Sequence, residues 1–174
     1  MTTSPRIERL RAVLLDIDGV LTDGRIGYAA EPHEVKFFDV RDGLAVKLLQ
    51  AAGLKVAVLS GRASPANRRR AEELGLDAVV EGEVNKLAGL GRILMQLGVT
   101  AEECAYVGDD LVDVPVMRRV GLAVAVADAA AEVRTVAHLV TTRPGGHGAV
   151  REFAEWLLRQ NGHWQEVTRR YELG

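Results

Sequence analysis

Two aspartates one residue apart, Asp16 and Asp18, close the apolar run of residues 12–15 and lead into Gly19. In an extended chain alternate residues share a face, so the two carboxylates project together from the end of the run. Neighbouring carboxylates repel, and their charge has to be offset by a cation, a shared proton or a nearby lysine. Two more apolar runs end in polar residues: residues 54–59 in Ser60-Gly61-Arg62, and residues 105–107 in Gly108-Asp109-Asp110. Lys86 stands in the first turn of an expected helix. If the runs are parallel strands, their polar ends lie on one edge of the sheet and can meet in one pocket.

Two leading carboxylates, a hydroxyl, a lysine and a second acidic cluster suit phosphoryl transfer. A carboxylate can attack phosphorus and form an acyl-phosphate. A hard cation such as Mg²⁺ takes carboxylate and carbonyl oxygens together with a phosphate oxygen. Lysine and hydroxyl donors stabilise the charge that spreads over the remaining oxygens. A second carboxyl group can protonate the leaving alkoxide and then take a proton from water. Each piece alone has a plainer role: Asp-Gly as a turn, Ser60 as a turn residue, Asp109 and Asp110 as helix caps. Their joint occurrence at three strand ends favours the chemical reading.

The elements that must hold these residues alternate. Strands are expected at 12–15, 54–59, 77–80, 105–107, 122–126 and 138–141, and helices at 44–52, 65–74, 85–97, 130–137 and 149–159. Another helix is expected after Asp110, with Met117 and Val120 inward. Gly53 and Gly75 stop the first two helices, Pro65 suits the first turn of the second, and Thr100 to Glu103 resembles a capping box. This alternation predicts an α/β fold, a doubly wound parallel sheet of Rossmann-like type, as one domain over residues 1–174. One segment departs from it. Ile26, Tyr28 and Ala30 alternate, Glu31-Pro32-His33 turns the chain, and residues 35–40 return, so a protruding β-hairpin is expected at about 24–40. Its apolar side chains exceed what a lone ribbon can bury, which marks it as an interface. A tail at about 161–174 carries Trp164, Val167 and Tyr171 at helical spacing.

Composition narrows the setting. The formal charge of −2 leaves no electrostatic footprint for nucleic acid, and the run Arg68-Arg69-Arg70 falls on an expected helix. The single cysteine, Cys104, rules out an intrachain disulfide framework and fits a reducing cytoplasm. The N-terminus lacks the apolar segment of a signal peptide, and no run approaches the ~20 apolar residues of a membrane span. A soluble, cytoplasmic protein is expected.

The residues resemble the haloacid dehalogenase superfamily of phosphatases: DxD at 16–18, Ser60 after the second strand, Lys86, and GDDLVD at 108–113. The resemblance implies Asp16 as nucleophile, Asp18 as general acid and base, and Ser60, Gly61 and Lys86 on the phosphate. It further implies Mg²⁺ held by Asp16, Asp109 and the backbone carbonyl of Asp18, with Asp110 and Asp113 in support, Asp113 orienting Lys86 or a metal-bound water. The short spacings from Asp18 to Ser60 and from Ser60 to Lys86 leave no room for the cap domain usual in that superfamily. A capless site is open to water, which suits a large substrate or closure by a neighbouring subunit, and the hairpin and tail are the natural closing parts.

A closer resemblance covers nearly the whole chain. LDIDGVLTDG, KFFDVRDG, LSGR, NKL, AYVGDDLVDVPVM, VGLAVAVADA and GGHGAVRE are similar to the 3-deoxy-D-manno-octulosonate 8-phosphate (KDO 8-phosphate) phosphatase family. That implies a sugar-acid phosphate substrate, a place in lipopolysaccharide precursor synthesis, and a homotetramer with shared active sites. It also implies that Arg62 selects this substrate over nine-carbon sialic or deaminated sialic acid 9-phosphates, whose enzymes carry an acid there. Arg70 matches an arginine that pairs with the sugar acid's carboxylate across the interface, a task suited to a guanidinium fork. His147 falls where relatives vary and receives no role. The alternatives are a nine-carbon sugar-acid phosphatase and, more distantly, a phospho-accepting receiver-like module.

Overall fold

The computed structural model describes residues 6–29 and 34–171. Among these, six strands form one parallel sheet in the order β5-β4-β1-β6-β7-β8. They are β1 (Ala12–Leu15), β4 (Lys55–Leu59), β5 (Ala78–Val80), β6 (Cys104–Gly108), β7 (Leu122–Ala125) and β8 (Leu139–Val140). Every residue of β1, β6 and β7 is buried, which explains why these strands read as unbroken apolar runs rather than alternating ones. A separate two-stranded antiparallel ribbon consists of β2 (Gly27–Tyr28) and β3 (Glu34–Val35).

The main helices are α1 (Val40–Ala51), α2 (Pro65–Leu74), α3 (Lys86–Leu97), α4 (Val114–Met117), α5 (Ala131–Val136), α6 (Ala149–Gln160) and α7 (Trp164–Thr168). Right-handed crossovers and the helix contacts sort them into two layers. α1, α2, α6 and α7 cover one face of the sheet, and α3, α4 and α5 the other. Leu48, Leu49, Phe153 and Leu157 are wholly or almost wholly buried on the first layer, Ile93 and Met117 on the second.

The topology fixes where a ligand can sit. From central β1 the chain first builds outward through β4 and β5, then crosses back to β6 on the other side. The crevice beyond the strand ends at this reversal is the natural ligand site of an open parallel sheet. In register, Leu15 lies opposite Val58 on β4 and opposite Val107 on β6. Asp16, Ser60 and Asp109 therefore leave three adjacent strands at nearly the same level.

Two expectations about the hairpin need correcting. Its return strand is only Glu34–Val35, and α1 begins at Val40 rather than at 44. The cause is Asp39, whose carboxylate accepts from the Arg41 amide at 2.7 Å and so starts the helix early. The turn Glu31-Pro32-His33 lies outside the described residues. The tail forms α7 and a 3₁₀ turn, Arg169–Tyr171, and packs on its own chain. Val167 is buried in the core, and the Arg159 guanidinium lies over the Trp164 ring at 4.3 Å.

Candidate active site

Asp16 directly follows β1, and its amide still donates to Val107 at 3.1 Å, so its side chain is held at the end of the sheet. One carboxylate oxygen accepts from the Ile17 amide at 2.7 Å. The other lies 2.8 Å from Nζ of Lys86. Lys86 is the first residue of α3, whose start is set by Asn85 capping the Leu87 and Ala88 amides. Its side chain is 2% exposed and also reaches Asp113 at 2.5 Å and the Tyr106 hydroxyl at 3.1 Å. Burial works against its charge, but the carboxylates of Asp16 and Asp113 outweigh that and raise its pKa.

Asp113 is engaged on both oxygens. Oδ1 accepts from Lys86 and, at 2.6 Å, from Tyr106; Oδ2 accepts from the amides of Asp109 and Asp110 at 2.9 and 3.2 Å. It thus ties the loop after β6 to the lysine on α3. Asp110 caps the short turn Leu111–Asp113 through the Leu111 amide at 2.7 Å. Asp109 differs: its Oδ1 is buried without a hydrogen-bond partner among the described residues. Burial, then the charges of Asp16 and Asp113, push its carboxyl up to about 8. Burial and Asp113 likewise raise Asp16 to about 6, against the pull of Lys86.

Carboxylate oxygens of Asp16, Asp109 and Asp113 lie within 4.8 Å of one another. A buried orphan oxygen and two carboxyls raised by burial and by neighbouring carboxylates are what a hard divalent cation would relieve, so the donor set fits Mg²⁺. Of the three, Asp113 accepts from Lys86, Tyr106 and two amides, Asp16 from Ile17 and Lys86, and only Asp109 keeps an oxygen without a partner among the described residues. The loop is shaped for this. Gly19 has φ +88°, and a Cβ there would collide with the Asp109 carboxylate. Thr22 closes the same loop through contacts with Ile17, Gly19 and Gly24.

Ser60 follows β4, buried, with its amide on Val80 and its hydroxyl accepting from the Arg62 amide at 3.2 Å. That hydroxyl keeps its proton available to a ligand. A Cβ on Gly61 would touch nothing closer than a carbonyl at 4.0 Å, so packing does not require glycine there. Asp18 is engaged by two cations: its Oδ1 accepts from Lys36 at 2.5 Å, and Arg62 lies 3.9 Å from its Oδ2. Arg62 is half exposed and also pairs with Glu34 of the hairpin at 3.2 Å.

Arg70 is not brought to this cluster within the chain. Its guanidinium lies over Phe38, 5.6 Å from the ring centre, and contacts the Asp39 carbonyl and Glu73. Lys36 and Tyr106 are the residues that sequence reasoning missed. The need to offset two adjacent carboxylates pointed to a lysine without locating it on the hairpin. Tyr106 sits in a strand that is otherwise apolar and small, and read as core.

Comparison with known proteins agrees with this geometry. The haloacid dehalogenase-like hydrolase family matches residues 31–121. The 3-deoxy-D-manno-octulosonate 8-phosphate phosphatase KdsC of Haemophilus influenzae is 43% identical over 157 residues, 90% of this chain and 87% of its own. A probable YrbI family phosphatase from Pseudomonas syringae superposes with a TM-score of 0.92 at 42% identity, over 97% of this chain and 96% of that one. The 3-deoxy-D-manno-octulosonate 8-phosphate phosphatase of Moraxella catarrhalis, solved with magnesium, phosphate and KDO, gives a TM-score of 0.91 at 35% identity over 95% of each chain.

Proposed function

This chain belongs to the haloacid dehalogenase-like hydrolases, in the 3-deoxy-D-manno-octulosonate 8-phosphate phosphatase family, and on that premise we propose how its residues divide the work. It is a phosphomonoester hydrolase acting on the octulosonate 8-phosphate to give the free sugar acid and phosphate. The observation that carries the mechanism is the buried Asp16–Lys86–Asp113 chain beside the orphaned Asp109 oxygen.

Asp16 is the nucleophile. Its carboxylate attacks phosphorus, the ester P–O bond breaks, and the electron pair leaves on the sugar oxygen, which takes the proton of Asp18. Water then attacks the aspartyl-phosphate, gives its proton to Asp18 and restores Asp16. Lys86, the Ser60 hydroxyl and the backbone at Gly61 bind the phosphate oxygens. Asp16, Asp109 and the Asp18 carbonyl hold Mg²⁺, which when bound supplies positive charge against those oxygens. Asp110 and Asp113 keep the loop and Lys86 in place. Arg62, at the mouth, selects the eight-carbon acid, and Arg70 serves a sugar carboxylate brought against it by assembly. The functional particle is a cytoplasmic homotetramer whose sites are completed by a neighbour, working in lipopolysaccharide precursor synthesis.

The test is Mg²⁺-dependent phosphate release from the octulosonate 8-phosphate, N-acetylneuraminate 9-phosphate, a hexose phosphate and an aryl phosphate. A kcat/KM for the octulosonate about a hundredfold above the others, ~2.7 kcal/mol of discrimination, is expected. Preference for the nine-carbon acid would overturn the assignment of Arg62. Asp16→Asn should lose turnover with its melting transition retained; a near-normal rate would remove Asp16 as nucleophile.

A further inference from the structure

The hairpin does more than protrude. Lys36, the residue after β3, has a side chain with no exposed surface, and its ammonium lies 2.5 Å from Oδ1 of Asp18 and 3.2 Å from Oε1 of Glu34. Arg62, from the loop after β4, reaches the same two acids from the other side, at 3.2 Å to Glu34 and 3.9 Å to Asp18. Two cations and two carboxylates thus alternate around the mouth of the site, and Lys36 is the buried member. A fully buried ammonium needs close anionic partners, so this contact restrains both of its ends.

The pairing also makes the two oxygens of Asp18 unequal. Oδ1 is taken by Lys36. Oδ2 is buried without a hydrogen-bond partner among the described residues, because the Arg62 approach is too long to be one. Only Oδ2 is left to exchange a proton with a reacting group. We propose that Lys36 is a positioning residue for the leaving-group proton transfer: by holding Oδ1 it presents Oδ2 of Asp18 to the departing sugar oxygen. This rests on the role given to Asp18 above. In the step, the proton leaves Oδ2 for the alkoxide as the ester P–O bond breaks, and the carboxylate formed on Asp18 stays paired with the Lys36 ammonium. The return proton from water goes back to Oδ2. The hairpin thereby becomes part of the proton-transfer apparatus, since Lys36 is fixed in the chain by β3.

A structural role for Lys36 would affect all substrates alike, whereas a role through Asp18 depends on the leaving group. A sugar alkoxide needs a proton in order to depart, and p-nitrophenolate does not. The experiment measures kcat/KM, which covers only the steps through leaving-group departure, for the octulosonate 8-phosphate and for p-nitrophenyl phosphate. In Lys36→Met the ratio of sugar ester to nitrophenyl ester should fall at least about tenfold from wild type, within the range general acid catalysis supplies. Lys36→Arg should recover much of it. In Asp18→Asn the ratio falls already, and adding Lys36→Met should lower it no further, since the two act as one unit. An unchanged ratio in Lys36→Met, or a double variant that loses the product of the two single losses, overturns the proposal. If Lys36→Met fails to melt cooperatively, Lys36→Gln, which keeps the polar reach but not the charge, takes its place: a fallen ratio supports the proposal and an unchanged one overturns it. Wild-type protein that releases phosphate from neither ester with Mg²⁺ would instead bring down the proposed function, and this inference with it.

Discussion

At the scale of single residues, the site is a set of acids that are costly to keep together without a cation. Asp16 is raised to about 6 and Asp109 to about 8, both from an ordinary 3.8. A carboxyl raised in the folded state binds its proton more tightly folded than unfolded. The stability it contributes is complete below about pH 4 and is lost as pH climbs through 6 for Asp16 and 8 for Asp109. A divalent cation reverses this trend, because it binds the ionised forms and competes with their protons. The expected outcome is a melting temperature that Mg²⁺ raises by roughly 5–10 °C at about pH 8.5, with the ion at about a hundred times its Kd. The rise should be clearly smaller at about pH 6. Differential scanning calorimetry at the two pH values checks this, and an equal shift at both would mean that these carboxyls do not hold the ion. Asp16, Ser60 and Asp109 were legible as candidates because polar residues that end apolar runs at matched places have few structural excuses, and Lys86 only as a lysine at the start of an expected helix able to join them. Lys36 was not, because a lysine in an alternating ribbon ordinarily points to water. Its burial arises only when β3 folds back onto Asp18.

At the scale of elements, the loop that carries the two aspartates has a backing of glycine. Gly145 and Gly146 lie against the backbone of residues 19–23, where a Cβ on Gly145 would collide with the Gly19 carbonyl and one on Gly146 with Thr22. The 145–148 segment is in turn held by Asp42 of α1, which accepts from the Gly148 amide at 3.2 Å and the Arg151 amide at 2.8 Å. Asp42 thus caps α6 from another helix, since Gly148 offers no side chain to do so. Gly145→Ala should therefore move the Asp16 loop as well as strain it, costing about 3 kcal/mol and lowering kcat severalfold. Urea unfolding and steady-state rates read the two effects, and normal values of both would mean that the loop can give way freely. The strands and most helices were legible from apolar runs and glycine stops. The start of α1 was not, because the Asp39 cap competes with a β-like pattern across residues 35–40, and local hydrogen bonding won. The two bonds made by Asp42 join residues 106 and 109 positions apart, which no local pattern can reveal.

At the scale of the whole molecule, a group of exposed apolar side chains lies on the hairpin and its base. Tyr28, which stands opposite Glu34 across the ribbon, is 80% exposed, and Phe37 and Val40 at the base are 74% and 79% exposed. Large apolar side chains grouped in this way on a two-stranded ribbon gain little from their own chain, and burying each against a partner would be worth roughly 1.5–3 kcal/mol. Two side chains of the same hairpin are committed to the site: Lys36 lies on Asp18 and Glu34 on Arg62. Association through these apolar side chains would thus fix the hairpin that carries Lys36, so that assembly and chemistry share one element. Phe37→Glu separates the two. The substitution touches no core contact and should leave the melting of an isolated chain within about 0.5 kcal/mol. Light scattering should show wild type at the mass of four chains and the variant at a lower mass. The rate on the sugar ester should fall further than the rate on p-nitrophenyl phosphate, because a loosened hairpin releases Lys36 from Asp18. A variant that stays tetrameric would move the interface elsewhere. One that dissociates but keeps the wild-type ratio of the two rates would show that the ribbon holds Lys36 without help from a neighbour.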